Sequence, residues 1–157
     1  MEDSLGRALG EDDFHLDFLF NVCNINDPEH DTELRDHWGE HCLTMNGILR
    51  SPNLDDLIRE VKRYVKPTAA LFNSGRRVSV AFLCRSGKHR SVALAKFFRR
   101  QWRRDRLGNS QVVHVSELLG YWPNDFCTSC NYCDNSRESW QTFLRDEFAQ
   151  RFRAVPT

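Results

Sequence analysis

The segment from Val78 to Ala95 constrains the fold of this chain more than any other. Residues 78–83 have the order Val-Ser-Val-Ala-Phe-Leu, a short apolar run with β-branched and aromatic side chains. Such a run is typical of a strand inside a parallel sheet. A helical pattern begins at Ser91, so residues 84–90 form a loop between the strand and the helix. We therefore predict a small three-layer α/β domain with a mostly parallel sheet and helices on both faces.

The residues that join this strand to the helix have the chemistry of an anion site. Backbone N–H groups and the positive end of a helix dipole converge at a strand–loop–helix turn. Arg90 adds paired donors suited to phosphate oxygens, and Lys88 adds a point charge. We name residues 84–91 the anion loop and predict that it binds the phosphate of a small molecule at the carboxyl edge of the strands. The predicted ligand-binding residues are Cys84, Arg85, Ser86, Gly87, Lys88, His89, Arg90 and Ser91.

The anion loop resembles the phosphate loop of the protein tyrosine phosphatases. That family has a Cys, five residues and an Arg, and Cys84 and Arg90 fit this spacing. The resemblance implies a Cys84 thiolate that attacks phosphorus and forms a phosphocysteine. The reaction also needs a general acid, for which Asp125 is the first candidate and Asp27 the second. The family's usual His before the nucleophile is Leu83 here.

A second resemblance covers much more of the chain. The residues that carry it are Asn26-Asp27-Pro28, Leu34-Arg35, Gly39, Gly75, Cys84, residues 87–92 and Val113-His114. In this pattern the chain is similar to the C-terminal domain of the RapZ family. The resemblance implies a regulatory domain that binds an amino-sugar phosphate, self-associates and contacts RNA. We favour this binding module over the cysteine-dependent phosphatase, and the sequence leaves open whether any catalysis occurs.

Three positions depart from the RapZ pattern. The family has Asp-x-Arg, Thr-Gly and His-Arg-Asp where this chain has, in order, Asn21-Val22-Cys23, Arg85-Ser86 and His114-Val115-Ser116. Two of these departures fall at predicted strand ends and one falls inside the anion loop. The sequence therefore predicts a phosphate-bearing ligand, either a phosphosugar or a nucleotide, without naming it.

Length and composition fit a single domain. The chain has 157 residues, of which 40% are hydrophobic and 28% are charged. Residues 1–13 are acidic and polar, as expected of a disordered leader or an arbitrary chain boundary. Residues 14–157 form the predicted domain, with a Cys-rich insertion at 120–135. Because no run reaches membrane-spanning length and no signal-peptide pattern opens the chain, we expect an intracellular, cytoplasmic protein without membrane contact.

The charges are unevenly divided along the chain. Residues 1–60 contain 15 acidic and 4 basic residues, and the remainder contains 7 acidic and 18 basic residues. Either a solvated acidic face lies beside a basic one, or identical chains associate head to tail as a homo-oligomer. The most basic stretch is the helix at 96–106, which is either a solvated helix face or a footprint for RNA phosphates.

Three cysteines near the C-terminal end suggest a metal site. Cys127, Cys130 and Cys133 form two Cys-x-x-Cys steps that share the middle residue. Three clustered thiolates suit a tetrahedral ion, and zinc is the commonest for such a set. Cys23 or His114 is the expected fourth ligand, because each ends a predicted strand. The alternative is three free cysteines, or one disulfide and one free thiol.

Several histidines have more than one interpretation. His37 and His41 are four residues apart, which would place them on one face of a helix as a metal-binding pair. Gly39 weakens any helix there, so we interpret them as core or surface histidines, with His41 and Cys42 as further alternatives for the fourth zinc ligand. His89 lies inside the anion loop, where it either faces the ligand or braces the loop by hydrogen bonds.

Periodicity and turn residues predict the remaining elements. A first strand is expected within Phe14–Ile25, a short helix at Thr32–Trp38, an amphipathic helix after Pro52, and a third strand at Gln111–Val115. A last helix begins near Asn135. Its predicted buried residues are Trp140, Phe143, Leu144, Phe148 and Phe152.

Overall fold

The computed structural model describes residues 15–26, 34–35, 37–68, 75–107, 111–118, 130 and 137–157. Within these residues the chain forms two strands and five α-helices. In chain order they are β1 (Phe18–Asn21), α1 (Cys42–Leu49), α2 (Leu54–Val65), β2 (Val80–Leu83), α3 (Arg90–Arg104), α4 (Val115–Leu118) and α5 (Arg137–Ala154). A 3-10 turn at Lys66–Thr68 continues directly from α2.

The two strands are parallel neighbours, as the sequence predicted. Phe18 lies opposite Val80 and Asn21 lies opposite Leu83. The N–H of Val22 donates to the carbonyl of Leu83 at 2.9 Å, so the pairing continues one residue past β1. Because the strands run the same way, their carboxyl ends meet at one edge of the sheet. The turn after β1 therefore lies beside the anion loop.

One face of the sheet packs on the helices. Phe20 stacks on Phe82 with ring centroids 5.7 Å apart, and Phe82 stacks on Phe98 of α3 at 5.1 Å. On the opposite face, Leu19 and Leu83 are each 45% exposed. The α/β class with a parallel sheet is thus confirmed, while a helical layer on the second face stays a prediction.

The amphipathic helix α2 matches its sequence pattern closely. It covers residues 54–65. Asp55 and Asp56 lie in its first turn, where their negative charges interact favourably with the positive end of the helix dipole. Its apolar stripe is fully buried. The residues of that stripe are Leu54, Leu57, Ile58, Val61 and Val65.

Helix α5 buries only part of its predicted apolar set. Leu144, Phe148 and Phe152 are buried, and Phe148 stacks on Phe97 of α3 at 4.8 Å. Trp140 and Phe143 are 48% and 58% exposed, so the prediction that they are buried is wrong. Phe143 lies one residue off the buried stripe, and Trp140 lies in the first turn, which extends beyond the core.

Two other sequence predictions need correction. The third strand predicted at Gln111–Val115 is wrong, because residues 111–114 have no regular structure and α4 begins at Val115. Val113 is 37% exposed, so this short apolar run is not buried deeply enough to act as a sheet strand. The described residues of the helix predicted at Thr32–Trp38 lie in turns and a bend, in keeping with the adjacent Gly39.

Some predictions concern residues outside the described ranges. These are the leader at 1–13, Asp27, the insertion at 120–135 apart from Cys130, and within it Asp125, Cys127 and Cys133. None of the described helices combines the length and the apolar character that a membrane span requires.

Candidate functional site

The anion loop leaves β2 at the carboxyl edge of the sheet and enters α3. Gly87 has a φ of 63°, a left-handed conformation that glycine adopts without strain. Within the described part of the chain, the backbone N–H groups of Arg85, Ser86 and Gly87 donate no hydrogen bond. The N-cap of α3, His89, makes no side-chain capping bond. The loop therefore offers unused N–H donors beside the positive end of a helix dipole.

Cys84 lies at the base of this loop. Its side chain is 4% exposed, and its thiol donates to the hydroxyl of Ser91 at 3.2 Å. This bond joins the first residue of the anion loop to the last. A nucleophilic role would require a thiolate that substrate can reach, so the role of Cys84 in catalysis stays a prediction.

Arg90 braces the neighbouring strand. It is 5% exposed, and its Nη1 donates to the carbonyl oxygens of Cys23 at 2.7 Å and Ile25 at 3.3 Å. Both carbonyls belong to the turn after β1. Since this edge of the guanidinium is already engaged, Arg90 fixes the distance between the anion loop and that turn.

The anion loop is contacted from its other side by residues 34–35 and 37–41, which we name the pre-α1 segment. Lys88 donates from Nζ to the carbonyl of Arg35 at 2.6 Å, and its own carbonyl accepts from the N–H of Gly39 at 3.0 Å. A Cβ placed on Gly39 would lie 2.1 Å from the carbonyl oxygen of His89. Only glycine allows the two backbones to approach this closely.

His89 itself is 1% exposed. Burial alone does not separate direct ligand contact from a hydrogen-bonding brace, so both interpretations of His89 stay predictions.

The pre-α1 segment also brings two histidines beside a distant cysteine. The ligand atoms of His37, His41 and Cys130 all lie within 4.8 Å of one another. The imidazole rings of the two histidines are 4.2 Å apart, and His41 Nε2 is 3.4 Å from Cys130 Sγ. Among the described residues, Cys23 and His114 do not belong to this group. The set of three thiolates with Cys23 or His114 stays a prediction.

Cys42 is buried next to this group and is a free thiol. Burial raises the pKa of Cys42, and the negative charge of Cys130 acts in the same direction. The pKa of a thiol rises in this way when the thiolate is taken out of water. The raised pKa makes the thiol of Cys42 less reactive than that of an ordinary cysteine.

Comparison with known proteins identifies the family. The sequence-family model of the RapZ C-terminal domain matches residues 6–117 of this chain. This chain belongs to the RapZ C-terminal domain family. The resemblance carried by Gly39 and the anion loop is thereby confirmed, and these residues are the ones that meet at the carboxyl edge of the sheet.

Two curated relatives are similar to part of this chain. A nucleotide-binding protein of Delftia acidovorans is 27% identical over 115 residues, which are 67% of this chain and 38% of that protein. A nucleotide-binding protein of Pseudomonas putida is 29% identical over 100 residues, which are 62% of this chain and 35% of that protein. The similarity thus spans little more than a third of the length of these relatives.

The basic face of α3 is partly neutralised within the chain. Lys96 pairs with Glu40 at 2.6 Å, and Arg100 and Arg104 both pair with Asp146 of α5. Slight desolvation acts to raise the pKa of Asp146, but the two guanidinium groups outweigh it and hold that pKa below its ordinary value. At least three of the six basic side chains in residues 96–106 have carboxylate partners, and RNA binding by this stretch stays a prediction.

A similar pairing links the acidic and basic halves of the sequence elsewhere. Arg151 of α5 donates from Nε to Asp55 of α2 at 2.5 Å and from Nη2 to the carbonyl of Ser51 at 3.3 Å. Some charges of the acidic and basic parts of the chain are therefore paired within one molecule. Head-to-tail association of identical chains stays a prediction.

Sequence reasoning missed two features of this region. It did not predict that the pre-α1 segment packs on the anion loop, although Gly39 was among the residues of the family pattern. It gave His37 and His41 a core or surface role, and both are buried, but it did not bring the two together with Cys130. Their four-residue spacing was the available signal, and turns held by N–H to C=O bonds from His37 to Leu34 and from His41 to Trp38 bring them together without a helix.

Proposed function

We propose that this domain is a regulatory module that binds a phosphorylated small molecule, a nucleotide or a sugar phosphate, at the anion loop. The observation that carries the proposal is the run of unused N–H groups at Arg85, Ser86 and Gly87, next to the start of α3. Such groups bind phosphate oxygens without any charged side chain.

The charges around the loop support an anionic ligand. Arg85 is exposed and forms no ion pair with a described residue, and Lys88 reaches across to the carbonyl of Arg35. Two cationic side chains, those of Arg85 and Lys88, thus belong to the loop that carries the unused N–H groups. A dianionic phosphate would be attracted to this surface and held by the directed backbone donors.

The neighbouring strand end offers a place for the rest of the ligand. Asn21, the last residue of β1, and Cys23, in the turn that Arg90 holds beside the loop, are both exposed. In open α/β sheets, ligands occupy the crevice at the carboxyl ends of the strands. The names of the Delftia and Pseudomonas relatives favour a nucleotide, whereas the family resemblance implies an amino-sugar phosphate.

Binding without turnover is the form of the proposal that the geometry supports. A cysteine phosphatase needs an accessible thiolate and an arginine that grips the phosphate. Here Cys84 is buried against Ser91, and Nη1 of Arg90 is engaged by the carbonyls of Cys23 and Ile25. The ligand would therefore act as a signal rather than as a substrate.

Titration calorimetry with inorganic phosphate, ATP, GDP and an amino-sugar phosphate tests the proposal. Ser86→Asp places a carboxylate among the N–H donors, and Ser86→Asn is its neutral isosteric control. A like charge about 4 Å from the phosphate costs ~1 to 4 kcal/mol, so Ser86→Asp should weaken binding at least fivefold. Ser86→Asn should bind like the parent.

Two results would contradict the proposal. One is equal affinity of Ser86→Asp and Ser86→Asn for every phosphate tested. The other is hydrolysis of an aryl phosphate that disappears in Cys84→Ser, since that would establish an enzyme. The proposal expects Cys84→Ser to retain the parent's affinity for the phosphate ligand.

A further inference from the structure

We propose that His37, His41 and Cys130 bind one zinc ion. The site differs from the three-cysteine set predicted from sequence, because two of its ligands are histidines of the pre-α1 segment. It is also separate from the anion loop and goes beyond the proposed function. It requires no redox chemistry, and the role of the ion is structural.

The distances between the three ligand atoms suit tetrahedral coordination. With Zn–N of about 2.1 Å and Zn–S of about 2.3 Å, neighbouring N and S ligands are roughly 3.6 Å apart. His41 Nε2 and Cys130 Sγ are 3.4 Å apart, and no pair among the three exceeds 4.8 Å. Small rotations of the side chains bring all three atoms to one ion.

The surroundings of His37 provide an independent observation. His37 is 9% exposed, and neither of its ring nitrogens has a hydrogen-bond partner among the described residues. A buried polar group without a partner costs about 1 to 3 kcal/mol. Coordination of one ring nitrogen to zinc would supply the missing partner.

A hydrogen bond between thiol and imidazole is the simplest alternative. It would account for the contact between His41 and Cys130, but it leaves both ring nitrogens of His37 without a partner. A metal ion accounts for all three side chains together. Two imidazoles and a thiolate are a donor set that favours zinc over the oxygen-seeking Mg²⁺ and Ca²⁺.

The proposed ion would join distant parts of the chain. His41 and Cys130 are 89 positions apart in sequence, and His41 immediately precedes α1. Tetrahedral zinc takes a fourth ligand, which is a further side chain or a water molecule. A bound ion would fix the pre-α1 segment, which contacts the anion loop through Gly39.

The test uses the full chain, stripped with a chelator and titrated with Co²⁺ and then Zn²⁺. One equivalent of Co²⁺ should produce the visible bands of a tetrahedral site and a sulfur-to-cobalt charge-transfer band. One equivalent of Zn²⁺ should remove both. A protein that stays folded and shows neither band overturns the proposal.

Matched variants locate the site. His37→Gln and Cys130→Ser should each lower the affinity for zinc at least tenfold. His15→Gln, an exposed histidine, and Cys23→Ser, an exposed cysteine, should leave that affinity within twofold of the parent. Loss of zinc from Cys23→Ser with retention by His37→Gln would overturn the proposal in favour of a cysteine-only set.

X-ray absorption at the zinc edge remains decisive if the ligand variants do not fold. The zinc-loaded parent should show a mixed shell with two histidine nitrogens and at least one sulfur. A shell with sulfur only, or with oxygen and no imidazole, contradicts the proposed set.

Discussion

Two segments hold the anion loop from opposite sides, and they do so by opposite means. The turn after β1 is held by a long charged side chain, because Arg90 reaches the carbonyls of Cys23 and Ile25. The pre-α1 segment is held by a backbone hydrogen bond from Gly39 to Lys88. The backbones can come this close only because Gly39 has no side chain.

The difference predicts unequal tolerance of substitution. A hydrogen-bonding side chain can be replaced at the cost of the bonds it makes. A backbone contact that leaves no room for a Cβ can be relieved only by moving one of the two backbones. We therefore expect the pre-α1 side to be the more sensitive of the two.

The largest effect is expected from Gly39→Ala. Its Cβ would lie 2.1 Å from the carbonyl oxygen of His89, so the backbones must separate. We expect the free energy of unfolding to fall by about 3 kcal/mol, at the upper end of the range for overpacked sites. Urea denaturation measures the change.

Gly47→Ala is the matched control for this substitution. Gly47 lies in α1, and a Cβ there meets nothing within 4 Å. Replacing a glycine inside a helix by alanine should raise the free energy of unfolding by about 0.5 to 1 kcal/mol. Similar destabilisation by Gly39→Ala and Gly47→Ala would contradict the proposed close contact.

A smaller effect is expected from Arg90→Met. The substitution keeps most of the buried volume but removes the donors to Cys23 and Ile25, which should cost about 2 kcal/mol. The same change at the exposed Arg63 of α2 should be nearly neutral. If Arg90→Met loses ligand affinity with no loss of stability, Arg90 contacts the phosphate directly instead of bracing the turn.

The smallest effect is expected from Lys88→Met. It removes one exposed hydrogen bond to the carbonyl of Arg35, while the backbone bond from Gly39 to Lys88 remains. The free energy of unfolding should fall by about 0.5 kcal/mol. Affinity for phosphate should fall more noticeably at low salt than at high salt, because an exposed charge is screened. A loss of stability equal to that of Gly39→Ala would mean that the side chain, not the glycine, holds the segment.

The sequence predicted the elements whose signals are local. Helix α2 follows from the spacing of its buried residues, and the strand, loop and helix from 80 to 104 follow from an apolar run, loop residues and a basic amphipathic helix. The parallel pairing of β1 and β2 agrees with the prediction of a mostly parallel sheet. These features depend on residues close together in sequence.

The features that sequence reasoning missed depend on contacts between distant residues. Gly39 contributes no pattern of its own, and its role is visible only once His89 is placed against it. His41 was only one of several alternatives for a fourth zinc ligand, because it contacts Cys130 across 89 positions and no local spacing encodes that contact. The exposed Trp140 likewise continues the apolar stripe of α5 but lies past the end of the core.

Amide chemical shifts test the central claim, that the anion loop binds phosphate, most directly. The protein is titrated with ATP and, separately, with an amino-sugar phosphate, and ¹H–¹⁵N spectra are recorded. At least one of these ligands should shift the N–H signals of Arg85, Ser86 and Gly87 before any others, and the shifts should saturate. Ser86→Asp should raise the ligand concentration at which these shifts are half complete at least fivefold, and Ser86→Asn should leave it unchanged. Saturable shifts elsewhere in the protein, with these three signals unchanged, would contradict the account.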